Sequence, residues 1–451
     1  MARGVRRARK IMNRLRFEIE WEDPAAAVGL ELRATWSHLR IFIDDTCLTQ
    51  VHDLAARSVR NGIYLPLYPL AEWLAMHWWS LFAELENPRR TLPNEYQRRH
   101  NLRYGRDGFI FPNLILRPLN GQIALNWGDS ADCTGMVRFL SQGSALLSAS
   151  DVITSISDLI ETVIRRLEQS GLQNTLLHQE WQAINSADAK EGVFCTAAAA
   201  LGLDPYSLDN EVSEAILQAG KLLPKPVVEE FFASADTSQL LIQAHQVSKA
   251  LARAKAQTAR LQPVIDIRRR VRFESKARAP WEDGYSWARQ LRKELCLNGQ
   301  VPGVINDIGT MLGLASEEFA RAVTVMKAVP VVFDAVVNLN DQRSPGFVLR
   351  NQSQANLKFS FCRALIEYLA AEQPGPALVA ADYSSRQKRN RAFAAEFLVP
   401  SEELRDALPS DYLGPDELDA LARRFKVSSW LVQHQVENHK LARLAPSVSD
   451  L

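Results

Sequence analysis

The chain has 451 residues, 47% of them hydrophobic and 23% charged, with 53 Lys and Arg against 52 Asp and Glu and a formal net charge of +1. That length exceeds one core of ordinary size and calls for two or three domains of globular composition. The balanced charge excludes a global attraction to nucleic acid or membranes, so either would need local patches.

Five cysteines, Cys47, Cys133, Cys195, Cys296 and Cys362, form no C-x-x-C pair. Neither a zinc knuckle nor a disulfide framework is expected, and a reduced, cytoplasmic setting suits them. No apolar run approaches the ~18 residues that span a bilayer, so no membrane contact is expected. The basic start lacks a following apolar segment, so no secretory signal is expected either.

Residues 1–16 form a basic arm, with Arg3, Arg6, Arg7, Arg9, Lys10, Arg14 and Arg16 and no acidic residue. Such an arm is a candidate phosphate contact, because each cation laid along the backbone releases condensed counterions; the plainer reading is a solvated terminus. Residues 17–148 read as an α+β domain. Apolar residues alternate over 17–21, 30–36 and 39–43, the period of half-buried strands. A helix over 69–84, with Pro69 at its start, carries Leu70, Trp73, Leu74, His77, Trp78, Leu81 and Phe82 at helical spacing. Trp73, His77 and Trp78 would suit a stacking platform, but core packing accounts for them more simply. A basic loop over 87–107 holds Arg89, Arg90, Arg98 and Arg99 as further candidate phosphate contacts, and residues 109–117 and 121–127 read as a hairpin turning at Asn120 and Gly121.

Residues 149–278 read as a helical middle domain, with helices over 151–168, 176–185, 187–201, 208–219, 226–233 and 237–261. A third cationic run near its end includes Arg268, Arg269 and Arg270. Most such runs are wet faces, yet three of them in a neutral chain imply segregated charge. Residues 279–451 form the last domain. The segment 416–436 then scans as a helix-turn-helix.

Within 357–400, one helix carries Phe359, Leu365 and Leu369, and the next carries Asn390, Phe393, Ala394, Ala395 and Leu398 before Pro400. The pair resembles the zinc-peptidase core of the ImmA/IrrE family, in which an R-F-T-x-A-H-E-x-x-H helix precedes a helix of pattern E-A-N-x-F-A-A-x-L-L-M-P. The resemblance extends over about 280–439 and implies a zincin-like domain of helices with a small sheet, with lead-in helices over 280–292 and 305–314 and strands over 329–337 and 346–350 ahead of the first helix of the pair. It also accounts for the closing helix pair, which makes DNA reading there the lesser interpretation. Where the family places two zinc-binding histidines and a general-base glutamate, this chain has Arg363, Glu367 and Ala364. The neighbourhood of the family's acidic third ligand holds Arg386, Lys388 and Arg389. Histidines at i and i+4 share a helix face and can hold one metal, whereas arginine repels a metal and alanine cannot accept a proton.

The expectation is therefore an α+β, multidomain protein ending in a peptidase-like domain without catalysis or cofactor, in which an ion pair joins Glu367 to Arg386, Lys388 or Arg389. By resemblance its partner would be a protein, either a repressor or a subunit of a bacterial defence complex. Two alternatives stand beside this: a nucleic-acid-binding subunit using the basic segments, and a peptidase with displaced ligands. No G-x-S-x-G, G-x-x-x-x-G-K-[ST] or G-x-G-x-x-G occurs, and Ser360 and Cys362 lack a positioned base.

Overall fold

The computed structural model describes residues 14–24, 29–87, 93–105, 108–119, 121–128, 137–257, 259–274, 279–327, 332–339, 344–382 and 384–445. The chain divides into two compact units, Met1–Leu208 and Asp209–Leu451. Among the described residues no helix is long and apolar enough to cross a membrane. The arm cations Arg3, Arg6, Arg7, Arg9 and Lys10, and also Arg89 and Arg90, lie outside the described residues.

The first unit is built on three small sheets. β1 (Leu15–Trp21) runs antiparallel along β2 (Trp36–Ile43), with Leu15 opposite Ile43 and Trp21 opposite Ser37. β2 also pairs with β3 (Thr46–Cys47) and β6 (Ile63–Pro66). β4 (Gln50–Asp53) lies between β5 (Ser58–Asn61) and β9 (Val137–Phe139), and β8 (Gln122–Trp127) lies between β7 (Leu114–Leu119) and β10 (Gly143–Ser148). Leu119 faces Gln122 across the expected hairpin turn, where Gly121 has φ 79° and Asn120 falls outside the described residues.

Three readings of this region need correction. Residues 30–36 are not a strand, because α1 (Leu30–Ala34) forms instead. Seven alternating residues do not by themselves fix a period, and Gly29 at φ 101° turns the chain before Thr35 closes the turn onto the Glu31 carbonyl. The helix expected over 69–84 is broken at His77 into α2 (Tyr68–Met76) and α3 (Trp78–Ala83). The basic stretch is not all loop. It contains α4 (Pro93–His100), with Glu95 in its first turn and Arg98, Arg99 and His100 in its last, the arrangement the helix dipole favours.

The middle segment is not a body of its own. α5 (Ala149–Gln169) buries Val152, Ile156, Leu159, Ile160, Val163 and Leu167 in the first unit's core, and α6 (Leu176–Ser186) adds Leu177, Trp181 and Ile184. α7 (Ala189–Ala200) ends that unit. α8 (Asn210–Leu222), α9 (Lys225–Ser234), α10 (Leu240–Ala256) and α11 (Gln262–Arg270) belong to the second unit, where Val264 and Ile267 enter the core. Amphipathic helices bury their apolar stripe against the sheet at hand, and composition alone does not tell which sheet that is.

The second unit continues with α12 (Pro280–Glu294), α13 (Ile305–Met311) and α14 (Ser316–Ala322). Its sheet has the order β11 (Val323–Met326), β13 (Pro345–Arg350), β12 (Ala335–Leu339), β14 (Gly375–Val379), antiparallel except for β11 with β13. Of the strand expected over 329–337, residues 329–331 lie outside the described residues and the strand that follows begins at Ala335; β11 and β14 were not anticipated. α15 (Gln354–Ala370) packs on this sheet, and α16 (Ser385–Leu398) lies between α15 and α12. Gly284 explains how closely α12 approaches α16: a Cβ there would stand 2.3 Å from the Arg389 carbonyl oxygen. After α17 (Ser401–Ala407) come α18 (Pro415–Phe425) and α19 (Ser429–His439), joined through Lys426 at φ 55°.

Candidate functional site

α15 is buried along most of its length, from Leu357 to Leu369, and Ser353 caps it by accepting the Asn356 N–H. Its core-facing side therefore carries Arg363, Ala364 and Glu367 into a water-poor region, 3%, 0% and 6% exposed. A buried charge needs a partner, so these residues show their role by what they touch.

Arg363 donates from Nη1 to Asp334 Oδ2 at 2.8 Å and from Nη2 to Gln387 Oε1 at 2.7 Å and to the Ala380 carbonyl. Asp334 also accepts from Arg350 at 3.0 Å. Burial works against the Asp334 carboxylate, but the guanidinium groups of Arg363 and Arg350 outweigh it and hold its pKa below the ordinary value. Ser384 caps α16 by accepting the Gln387 N–H, which aims the basic first turn of α16 at α15.

There Arg386 Nη1 donates to Glu367 Oε2 at 3.1 Å, Arg389 Nη2 stands 3.7 Å from Glu367 Oε1, and the Asn390 amide donates to the same oxygen. Burial pushes the Glu367 pKa up, opposed by Arg389 and Asn390. Burial lowers that of Arg386 to about 10. Lys388, half-buried, lies on the same helix. Glu367, Arg386 and Arg389, which the sequence reading grouped, are thus brought together across the two helices.

Two carboxylates of this network were missed in the sequence. Asp334 comes from the turn before β12, and Glu230 from α9, 156 residues before the arginine it pairs with. Glu230 gave a signal in sequence: it sits beside Val227 and Phe231 on the buried face of α9, and an acid on an apolar face calls for a cation. Nothing local pointed to Asp334.

This arrangement does not fit zinc. Where the resemblance would place a histidine, Arg363 spends Nη1 and Nη2 on a carboxylate, an amide and a carbonyl, and the neighbouring methyl of Ala364 has no proton chemistry. Glu367 is the one metal-binding type retained in the triplet, and it is ringed by donors. Among the described residues no group of three or more His, Cys, Asp and Glu side chains could hold a metal ion.

Most of the described candidate phosphate contacts are engaged within the protein. Arg99 gives both arms of its fork to Glu84 at 2.7 and 2.6 Å. Arg268 donates to the Ala371 carbonyl and rests over the Tyr368 ring at 5.2 Å. Arg270 donates to Glu294 at 2.6 Å. Arg98 is exposed, and Arg269 is 64% exposed with Asp266 at 3.8 Å.

A second buried cluster surrounds Glu84 in the first unit. His100 lies fully buried with Nε2 at 3.2 Å from Glu84 and Nδ1 at 3.0 Å from the Leu116 carbonyl, and Tyr96 stacks on its ring at 3.9 Å. Comparison with models of known protein families and with curated proteins returned no match.

Proposed function

We propose that the chain is an ImmA/IrrE-like protein that has lost its peptidase chemistry. It acts by binding another protein, as a regulator, sensor or assembly subunit in a bacterial antiphage-defence or mobile-element system. What supports this reading is the filling of the site itself. Around the positions where the resemblance calls for a metal and a base, guanidinium and carboxylate groups from α15, α16 and the turn before β12 satisfy one another. A scaffold in that state retains surfaces but no electrophile and no activated water. The partner is a protein, a repressor or a defence-complex subunit, met in the cytoplasm. Nucleic acid is the weaker partner class, because Arg99, Arg268 and Arg270 spend donors inside the protein.

The test is metal analysis of the purified full-length chain, together with incubation against helix-turn-helix repressors with and without chelator. Substoichiometric zinc and no cleavage are expected. Stoichiometric zinc, or cleavage that a chelator abolishes, would sink the reading, and cross-linking with mass spectrometry would then identify a substrate instead of a partner.

A further inference from the structure

Glu230 reaches the site from α9, outside the span that resembles the peptidase. Arg386 directs Nε to Glu230 Oε1 at 2.6 Å and Nη2 to the other oxygen, the parallel two-bond geometry by which a guanidinium reads a carboxylate. Its remaining nitrogen serves Glu367. Around the contact the terminal nitrogens of Arg363 are committed, while its buried Nε has no partner among the described residues. Arg363 is held by Asp334, Gln387 and the Ala380 carbonyl, and Arg389 turns Nε and Nη2 toward Asn390 Oδ1 at 3.2 and 3.1 Å. The fork of Arg386 is thus the part of the network that binds a carboxylate from outside the span that resembles the peptidase.

The side chains differ in access. Glu230 is 8% exposed, while Arg386 and Arg389 are 24% and 21% exposed, so the cationic side of the contact still reaches solvent. Val227, Phe231 and Phe232, buried on the same helix, hold α9 in place and fix the height of Glu230. Remove that carboxylate alone and a partly buried fork is left without its partner, a state costly enough to draw in a replacement.

We infer that the fork of Arg386, backed by Arg389, is a carboxylate-binding site. Glu230 is its resident occupant, and an acidic peptide side chain is the ligand class it takes in trans. The inference rests on the reading above in one respect, that the site holds no metal. It adds the chemistry of the partner: a segment presenting Glu or Asp, in competition with α9.

Full-length E230A is titrated with propionate and then with a short polyglutamate peptide while thermal unfolding is followed. The expected result is a saturable rise in Tm of about 4 °C with either ligand. That rise is absent from wild type and from E230A/R386Q, and chloride at equal ionic strength does not reproduce it. Equal responses of E230A and wild type overturn the inference, and a response to propionate but not to the peptide overturns the peptide assignment. E230Q, which keeps the side chain's volume, guards against failure of E230A to fold. Its Arg386 Nε–H resonance should move with propionate while that of wild type does not, and no movement in E230Q overturns the site. Stoichiometric zinc in wild type would sink the metal-free reading by a separate measurement.

Discussion

Each unit buries a glutamate against arginine, and the two carboxylates are driven in opposite directions. Glu84 takes the whole fork of Arg99 and a ring nitrogen of His100. Burial pushes its pKa up, but those bonds outweigh burial and hold the carboxyl below its ordinary value. Glu367 is comparably buried, and Arg386 spends its fork on Glu230 and gives Glu367 one bond; here burial prevails over Arg389, Asn390 and Arg363, and the pKa rises. A guanidinium nearby is not enough; the number of donors committed to the carboxylate decides whether its charge is favoured.

The comparison breaks most readily at Glu84. Glu84→Ala strands the Arg99 fork and leaves His100 Nε2 without its partner in a fully buried position. The expected loss is about 3–5 kcal/mol, the range for removing one partner of a buried pair. It is read from the denaturant midpoint of the first unit's transition. A loss under about 1 kcal/mol would mean that the bonds do not stabilise the charge, and the contrast with Glu367 would fall.

The sequence showed the two sites unequally, for a physical reason. Apolar spacing over 357–400 read as the two helices α15 and α16, because a buried helix must repeat apolar residues along its length, whereas the Arg363, Ala364, Glu367 triplet was picked out by the resemblance to the ImmA/IrrE pattern. Glu84 and His100 passed unremarked as a pair. Their contact depends on how α4 folds back over the end of α3, and a stretch rich in arginine reads as wet loop until its acid partners are known. Glu230 and Asp334 reach the second site through tertiary packing over long chain separations. The domain divisions failed at α5 for the same reason: its stripe is plain in the sequence, but the sheet it covers is not.

Acid should separate the units next. Burial, aided by the charges of Arg99 and His100, lowers the His77 pKa to about 4, against 6.5 for the free side chain. The unfolded chain therefore binds this proton first. The contribution of His77 to stability is complete above pH 6.5 and is lost as pH falls toward 4, with Glu84 adding a further loss below its ordinary range. The midpoint of the first unit should decline between pH 6.5 and 4, and His77→Gln should flatten that decline. An unchanged slope in the variant would remove His77 from the explanation.

The smallest effect is expected at Glu367, and it sharpens the comparison most. A raised folded-state pKa means that the folded protein holds this proton more tightly than the unfolded chain. The group's contribution is then present below the ordinary glutamate range and is lost as pH rises through the folded value, the reverse of Glu84. Glu367→Gln keeps the volume and an oxygen for the Asn390 amide, and Arg386 retains Glu230. At neutral pH the variant should lie within about 1 kcal/mol of wild type, and it should gain on wild type as pH rises from 4.5 to 8. Paired denaturant titrations across that range measure both. A loss of about 3 kcal/mol at pH 7 would put Glu367 in the same class as Glu84, and the single bond from Arg386 would then have to count for as much as the full fork of Arg99.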